Sequence, residues 1–327
     1  MDNETTHYQL VGNAETLKRF VREVMPEPPE GKEDYMVYFL SMAARNKYLS
    51  TKEREEIGVG RSEMFNRTSV FANKMERGEA VLRAVRNMET PVGSYYGRAS
   101  GEPLPDNPHV LTLYANLDLA NTLEAWNAAA ATMNTTFMNL ALGRDVHVPN
   151  PEGVFRTELQ RSKAVRKLVD VDADVPFLTM EERFVLVETF MEEVRNAQEG
   201  KPVKAWVVLT TGGFHLLFDK DTLKHNYMET VRAVVTSRWL FSNEPWHGGP
   251  DRPDREHTLE SLAEFRKVGC NQNPDAFPYD PALCEWEVTR NDNRMVPLPG
   301  TYQPVASVFR NRESNLYHRY LVDFAEV

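Results

Sequence analysis

The sequence predicts an α/β (α+β) protein with a mixed sheet, preceded by a mainly helical N-terminal segment. Three observations carry that prediction. Through the first hundred residues, apolar side chains recur at helical spacing. Residues 89–108 then hold four prolines and three glycines, a composition that interrupts regular structure and marks a connector. Beyond it, β-branched runs of strand length alternate with longer helical stretches, as in a sheet with helices packed on it.

In chain order, Leu17, Phe20, Val21 and Val24 form a helical stripe after Asn13. A second helix is expected over residues 34–48, with Met36, Phe39, Leu40 and Ala43 turned inward, and a third helical stretch over 62–88. The change of pattern at the connector divides the chain into a helical segment, 1–95, and a larger unit, 105–327. In the larger unit, 110–116 reads as a short apolar strand and 119–138 as a helix. Residues 167–172 read as a strand from the β-branched Val169 and Val171, and Thr179 followed by Glu182 is a capping box that opens another helix. A strand at 203–210, the turn Gly212-Gly213 and a returning strand at 214–218 make a hairpin. Helices are expected at 221–239 and 259–268, and strands at 286–296 and 317–322. No repeat or low-complexity tract is visible, which argues against a solenoid.

Composition narrows the function classes. The 38 basic and 48 acidic residues give a net charge of −10, unlike a protein that coats nucleic acid through a basic surface. Two local basic segments stand out, Arg156 to Lys167 and the tail with Arg310, Arg312 and Arg319; each reads equally as a phosphate track or a solvated charged face. No run of eighteen apolar residues occurs, and Met1-Asp2-Asn3-Glu4 lacks the features of a signal peptide. A cytoplasmic protein without membrane contact is expected. Cys270 and Cys284, even with His247 and His257 upstream, are too few for a disulfide framework, and zinc is not expected.

Three strings carry chemistry. In Leu168-Val169-Asp170-Val171-Asp172-Ala173-Asp174, strand alternation sends the valines to one face and Asp170 and Asp172 together to the other. Carboxylates held side by side repel unless a cation lies between them, so the pair suits Mg²⁺ or Mn²⁺; the plain alternative is an acidic strand edge. In Thr210-Thr211-Gly212-Gly213-Phe214-His215, alternation buries Phe214, Leu216 and Phe218 and sends His215 to the opposite face. There an imidazole near a turn with accessible glycine amides suits a nucleotide phosphate, with Gly213 and Thr211 as further phosphate-binding candidates, or is simply a satisfied polar residue. The third string, Glu285-Trp286-Glu287-Val288-Thr289-Arg290, offers one more carboxylate and leads to Arg294-Met295-Val296-Pro297-Leu298-Pro299-Gly300-Thr301, in which Arg290 and Arg294 are phosphate-binding candidates.

Taken together, the order Asp-x-Asp, Gly-Gly-Phe-His, then acid, Val-Thr and Arg-Met-Val-x-Leu-Pro-Gly-Thr resembles the three motifs of the archaeo-eukaryotic primase superfamily, specifically its primase-polymerases. The resemblance spans roughly residue 110 to the C-terminus. It implies that 105–327 is a catalytic core with an RRM-like sheet, and that the activity is DNA-template-dependent joining of NTPs or dNTPs with two divalent metals, Mg²⁺ or Mn²⁺. Asp170 and Asp172 match the metal-ligating acids, His215 the phosphate-contacting histidine, and Arg294 the basic residue before Leu-Pro-Gly. Glu285 matches the third acid, with Glu287 as its rival. Single-stranded DNA would be the template, and a separate helicase or replisome protein a partner, since no phosphate loop of the Gly-x-x-x-x-Gly-Lys-Ser/Thr kind occurs. The chain departs from the family in three places. The third acid is glutamate, Pro297 stands where a second arginine is usual, and Tyr302-Gln303-Pro304 stands where a histidine and a lysine often follow. The same residue types also serve a metal-dependent nuclease or, without turnover, a single-stranded-DNA-binding module.

Overall fold

A computed structural model of the chain describes residues 7–45, 62–72, 76–96, 111–165, 167–174, 180–199, 201–223, 285–288, 295–304 and 319–327. Among them are five α-helices, two larger sheets and a short two-stranded ribbon.

The first sheet is organised by β1 (Met36–Arg45), which is buried along nine of its ten residues. One edge of β1 pairs with β2 (Ser62–Phe71). The other pairs with β3 (Leu111–Asn116) and β4 (Leu119–Asn121), which are set apart where Asn116 Oδ1 accepts the Asp118 N–H at 3.0 Å. The sheet is extended by β5 (Lys163–Val165) beside β4 and β10 (Met295–Pro297) beside β3. Every pairing is antiparallel.

Both faces of β1 are covered. Met36, Tyr38, Leu40, Met42 and Ala44 enter the main core with α1 (Ala14–Glu23) and α2 (Arg77–Arg86). Val37 and Phe39 turn the other way, onto Ala125 of α3 (Thr122–Ala141) and Leu159 of α4 (Pro151–Arg161). This double burial corrects the helix expected at 34–48. A strand buried on both faces reads as a continuous apolar run, and short apolar runs do not distinguish strand from buried helix. The stretch expected to be helical over 62–88 is likewise β2 followed by α2. The described part of the N-terminal segment therefore holds two ten-residue strands beside two ten-residue helices, and is not mainly helical.

The second sheet has the order β13-β7-β8-β6-β9 and is antiparallel throughout. Its strands are β6 (Leu168–Asp174), β7 (Ala205–Leu209), β8 (Gly213–Asp219), β9 (Glu285–Val288) and β13 (Asp323–Glu326). On one face, α5 (Met180–Ala197) brings Phe190 to 6.0 Å from Phe218. From the other face, Leu168, Trp206, Val208, Leu217 and Phe324 join the same core that receives β1. The two sheets thus share one hydrophobic core.

The ribbon of β11 (Tyr302–Pro304) and β12 (Arg319–Leu321) follows a tight turn at Gly300. There Gly300 O accepts the N–H groups of Gly12 and Asn13 at 2.9 Å each, while Gly300 N–H donates to Val322 O at 2.8 Å. Glycine is demanded twice over: φ is +84°, and a Cβ would lie 2.4 Å from Asn13 O. The Leu-Pro-Gly-Thr string therefore ties the start of α1 to both sheets.

Other expectations are met with shifted bounds. Asn13 caps α1 through Glu15 N and Thr16 N, and the helix expected at 119–138 begins after β4 at an Asn121 cap. The single strand expected at 286–296 is instead two strands in different sheets, β9 beside β6 and β10 beside β3, and the strand expected at 317–322 is present as β12. Residues 220–222 form a single 3₁₀ turn that ends in extended backbone at Leu223, so the start of the helix expected at 221–239 is not α-helical; its remainder from 224, the helix expected at 259–268, and Thr179 of the capping box lie outside the described residues. Among the described residues, no helix is long and apolar enough to cross a membrane.

Candidate functional site

Strand alternation in β6 works as the residue pattern implies. Val169, Val171 and Ala173 are buried on one face, and Asp170 and Asp172 share the other. The neighbouring strand β8 brings His215 opposite Asp172 and Leu217 opposite Asp170. His215 Nδ1 lies 3.2 Å from Asp170 Oδ1, and its Nε2 lies 3.5 Å from Asp172 Oδ1. The imidazole thus spans the carboxylate pair. Asp170 is the deeper member, at 2% exposed, whereas the Asp172 side chain keeps 35% of its surface in solvent.

On the far side of β6, β9 places Glu287 as the Cα partner of Asp172 and Glu285 as the partner of Asp174. Partnered residues of an antiparallel pair occupy one face with Cβ atoms about 5 Å apart, and diagonal positions lie roughly 7–8 Å away. The backbone therefore forms a row His215, Asp172, Glu287 across three strands, and Glu285 is one row further on. The side chains of Glu285 and Glu287 lie outside the described residues, as do Arg290 and Arg294 altogether.

The β7–β8 turn is closed by Thr210 N–H donating to Gly213 O at 3.0 Å. Of the turn's phosphate-binding candidates, Gly213 and Thr211 both have their amides occupied within the protein. Gly213 N–H donates to Thr210 Oγ1 at 3.1 Å, and Thr211 N–H donates to Gln303 Oε1 at 3.0 Å. The reason is local: a Thr hydroxyl and a buried Gln amide stand within reach of donors that would otherwise be unsatisfied. The turn carbonyls are held by Arg183 of α5, which donates through Nη1 to Thr210 O at 2.8 Å and through Nη2 to Thr211 O at 3.3 Å. Tyr320, paired with Gln303 across the ribbon, has its phenol pushed up by burial, with Arg183 opposing.

Arg183 and Gln303 were not singled out from the sequence as site residues. Arg183 directly follows Glu181 and Glu182 in the sequence, where it reads as one more charge at the start of a helix, so its burial leaves no local signal. Gln303 lies in the Tyr302-Gln303-Pro304 string, where its buried side chain has a structural role. The basic segment that starts at Arg156 is also partly accounted for. Arg156 pairs with Glu152 at 2.6 Å and Arg161 with Glu158 at 3.0 Å along α4, the ordinary ion pairs of a surface helix. Arg319 lies over the Tyr302 ring, whereas Arg310 and Arg312 lie outside the described residues.

Among the described residues, no group of three or more His, Cys, Asp and Glu side chains is arranged to hold a metal ion. The donor chemistry nonetheless fits a hard dication: two same-face carboxylates, with a third acidic position in register beside Asp172. Cys270, Cys284, His247 and His257 fall outside the described residues. No protein-family model matches the chain, and neither a curated protein nor a solved structure is significantly similar to it.

Proposed function

We propose that the chain is a DNA-template-dependent nucleotidyltransferase of the archaeo-eukaryotic primase type, a primase or DNA polymerase that joins NTPs or dNTPs. The observation that carries the reading is the convergence of Asp170, Asp172 and His215, from two separate motif strings, on one face of one sheet. Asp170 and Asp172 would hold Mg²⁺ or Mn²⁺. Glu287 is preferred as the third acid because it lies in register with Asp172, where Glu285 is diagonal to it. When bound, the ions supply Lewis acidity to the attacking hydroxyl and charge neutralisation to the triphosphate.

The protein's own residues do the positioning. A carboxylate only accepts hydrogen bonds, so a ring nitrogen bonded to it must carry a proton. The His215 Nδ1–H is thus given to Asp170, so an anionic phosphate oxygen would be met through Nε2, on the Asp172 side of the ring, when that nitrogen also carries a proton, and Arg294 would add a fixed positive charge. Asp170, buried against the imidazole, fixes the ring's orientation. Single-stranded DNA as template and a separate helicase as partner belong to this reading, as does a cytoplasmic location where nucleotides are available.

The test is synthesis on single-stranded DNA with labelled nucleotides and Mg²⁺ or Mn²⁺, with and without an annealed primer, comparing wild type with Asp172→Asn. Product that requires both template and Asp172 is expected, and product without primer would make the enzyme a primase. Degradation of the DNA with no nucleotide requirement would instead identify a nuclease. Intact DNA and no product with either metal would leave a non-catalytic DNA-binding module.

A further inference from the structure

Helix α3 carries a second pattern that the proposed chemistry does not use. Its 20 residues include a single charged one, Glu124. Leu123, Ala130 and Phe137 recur every seven residues, and Trp126, Met133 and Leu140 repeat the same spacing three residues later. Such a repeat lays one apolar seam along the helix. That seam is not the face packed on the sheet, which is marked by Ala125 and Ala129. Leu123 is 54% exposed, Trp126 59%, Phe137 52%, Leu140 38% and the flanking Met138 67%. The exposed surface is also preorganised, because Trp126 stacks on Phe155 of α4 with ring centroids 4.2 Å apart.

We propose that this face is a homodimer interface, in which two copies of α3 pack antiparallel about a two-fold axis at Ala130. The spacing is self-complementary about that residue. With Ala130 against Ala130, Leu123 of one copy meets Phe137 of the other, so large side chains flank a small centre that lets the helices approach. Trp126 comes level with Asn134 of the other copy, an indole N–H opposite an amide that can accept. Area supports the same occupant. The five exposed side chains amount to roughly 500 Å² per copy at about 200 Å² for each large apolar side chain. A pair then buries about 1,000 Å² before the intervening Asn and Ala surface is added, which reaches the lower bound of specific interfaces. The lack of charge excludes a phosphate backbone or an anionic lipid surface as the occupant, since both select Lys and Arg. Because α3 lies on the Val37 and Phe39 face of β1, away from the core shared with the second sheet, the dimer leaves the Asp170–Asp172–His215 site open.

Sedimentation velocity of the full chain over a concentration series should show a reversible dimer, and Phe137→Glu, on an exposed position, should remove it without altering the circular dichroism spectrum. In a Cys270→Ser, Cys284→Ser background, mild oxidation should cross-link Ala130→Cys into dimers, and should not cross-link Thr132→Cys on the opposite side of the helix. A chain that stays monomeric at every concentration overturns the proposal, and so does a dimer that Phe137→Glu leaves intact. Equal cross-linking at both positions overturns the two-fold placement. A monomer whose Trp126 is shielded from a collisional quencher overturns the proposal by assigning the face to another segment of the same chain.

Discussion

At the scale of single residues, Asp170 and Asp172 differ in what each can test. Asp170 is buried against His215, so truncating it removes the partner of a buried ring nitrogen, and lost activity would be entangled with about 1–3 kcal/mol of lost stability. Asp172 is partly solvated and close to a second carboxylate. Asp172→Asn relieves like-charge repulsion and should lower nucleotide incorporation by at least about 100-fold, more than a residue behind a metal ligand commonly costs. Its melting temperature without divalent ions should not fall below that of wild type. Lost activity at retained stability is the signature of a site residue, and a matched fall in both would make Asp172 structural.

Tyr38 gives a pH-dependent case. Burial raises its phenol above the ordinary value, and its hydroxyl donates to Pro26 O at 2.9 Å. A raised folded-state pKa means that the unfolded chain loses its proton first as pH rises. The stabilisation is whole below the unfolded value of about 10 and is lost as pH climbs through the folded one. Denaturant titrations across that alkaline range should show a shallower decline for Tyr38→Phe than for wild type, and parallel declines would show that the phenol is not the responsible group. Gly300 needs no titration. With a positive φ and a would-be Cβ 2.4 Å from Asn13 O, Gly300→Ala should destabilise by at least about 2 kcal/mol, read from the urea midpoint.

At the scale of elements, legibility followed burial. Strands β6 and β8 each carry polar groups on one face at the site, so alternation showed in the sequence and placed Asp170, Asp172 and His215 correctly. Strand β1 has apolar residues on both faces, and nothing in Met36 to Ala44 separates a strand from a buried helix. The turn at Gly212-Gly213 was legible from its glycines, but its fastening was not. Arg183 and Gln303 reach it from positions 28 and 92 residues away from Thr211, and local patterns carry no signal for contacts of that range. Arg183→Met should therefore loosen the turn specifically. Its carbonyls lose a charged donor, and hydrogen exchange at Thr211 and Gly213 should speed up while exchange in β1 is unchanged. Equal acceleration in both places would mean that Arg183 supports the whole fold and not this hairpin.

At the scale of the molecule, the division suggested by the proline-rich connector meets a main hydrophobic core that both sheets share. Phe20 of α1, fully buried, makes an edge-on contact with Phe324 of β13 at 5.1 Å, and Arg19 Nη2 donates to Phe324 O at 3.1 Å. That core runs from Tyr8 to Phe324 and includes β1 from one sheet and β7 and β8 from the other. Separate folding units would each bury their own apolar face, whereas here the inner faces of both sheets are buried in one cluster. Phe20→Ala removes a side chain at their junction, at a cost of about 3–5 kcal/mol. In native-state hydrogen exchange, the slowest amides of β1 and of β8 should lose protection by the same factor, because opening either sheet exposes the shared surface. Loss confined to β1 would show that the second sheet holds its structure alone, and His215 and the two aspartates would then sit on a unit able to fold without the N-terminal half of the chain.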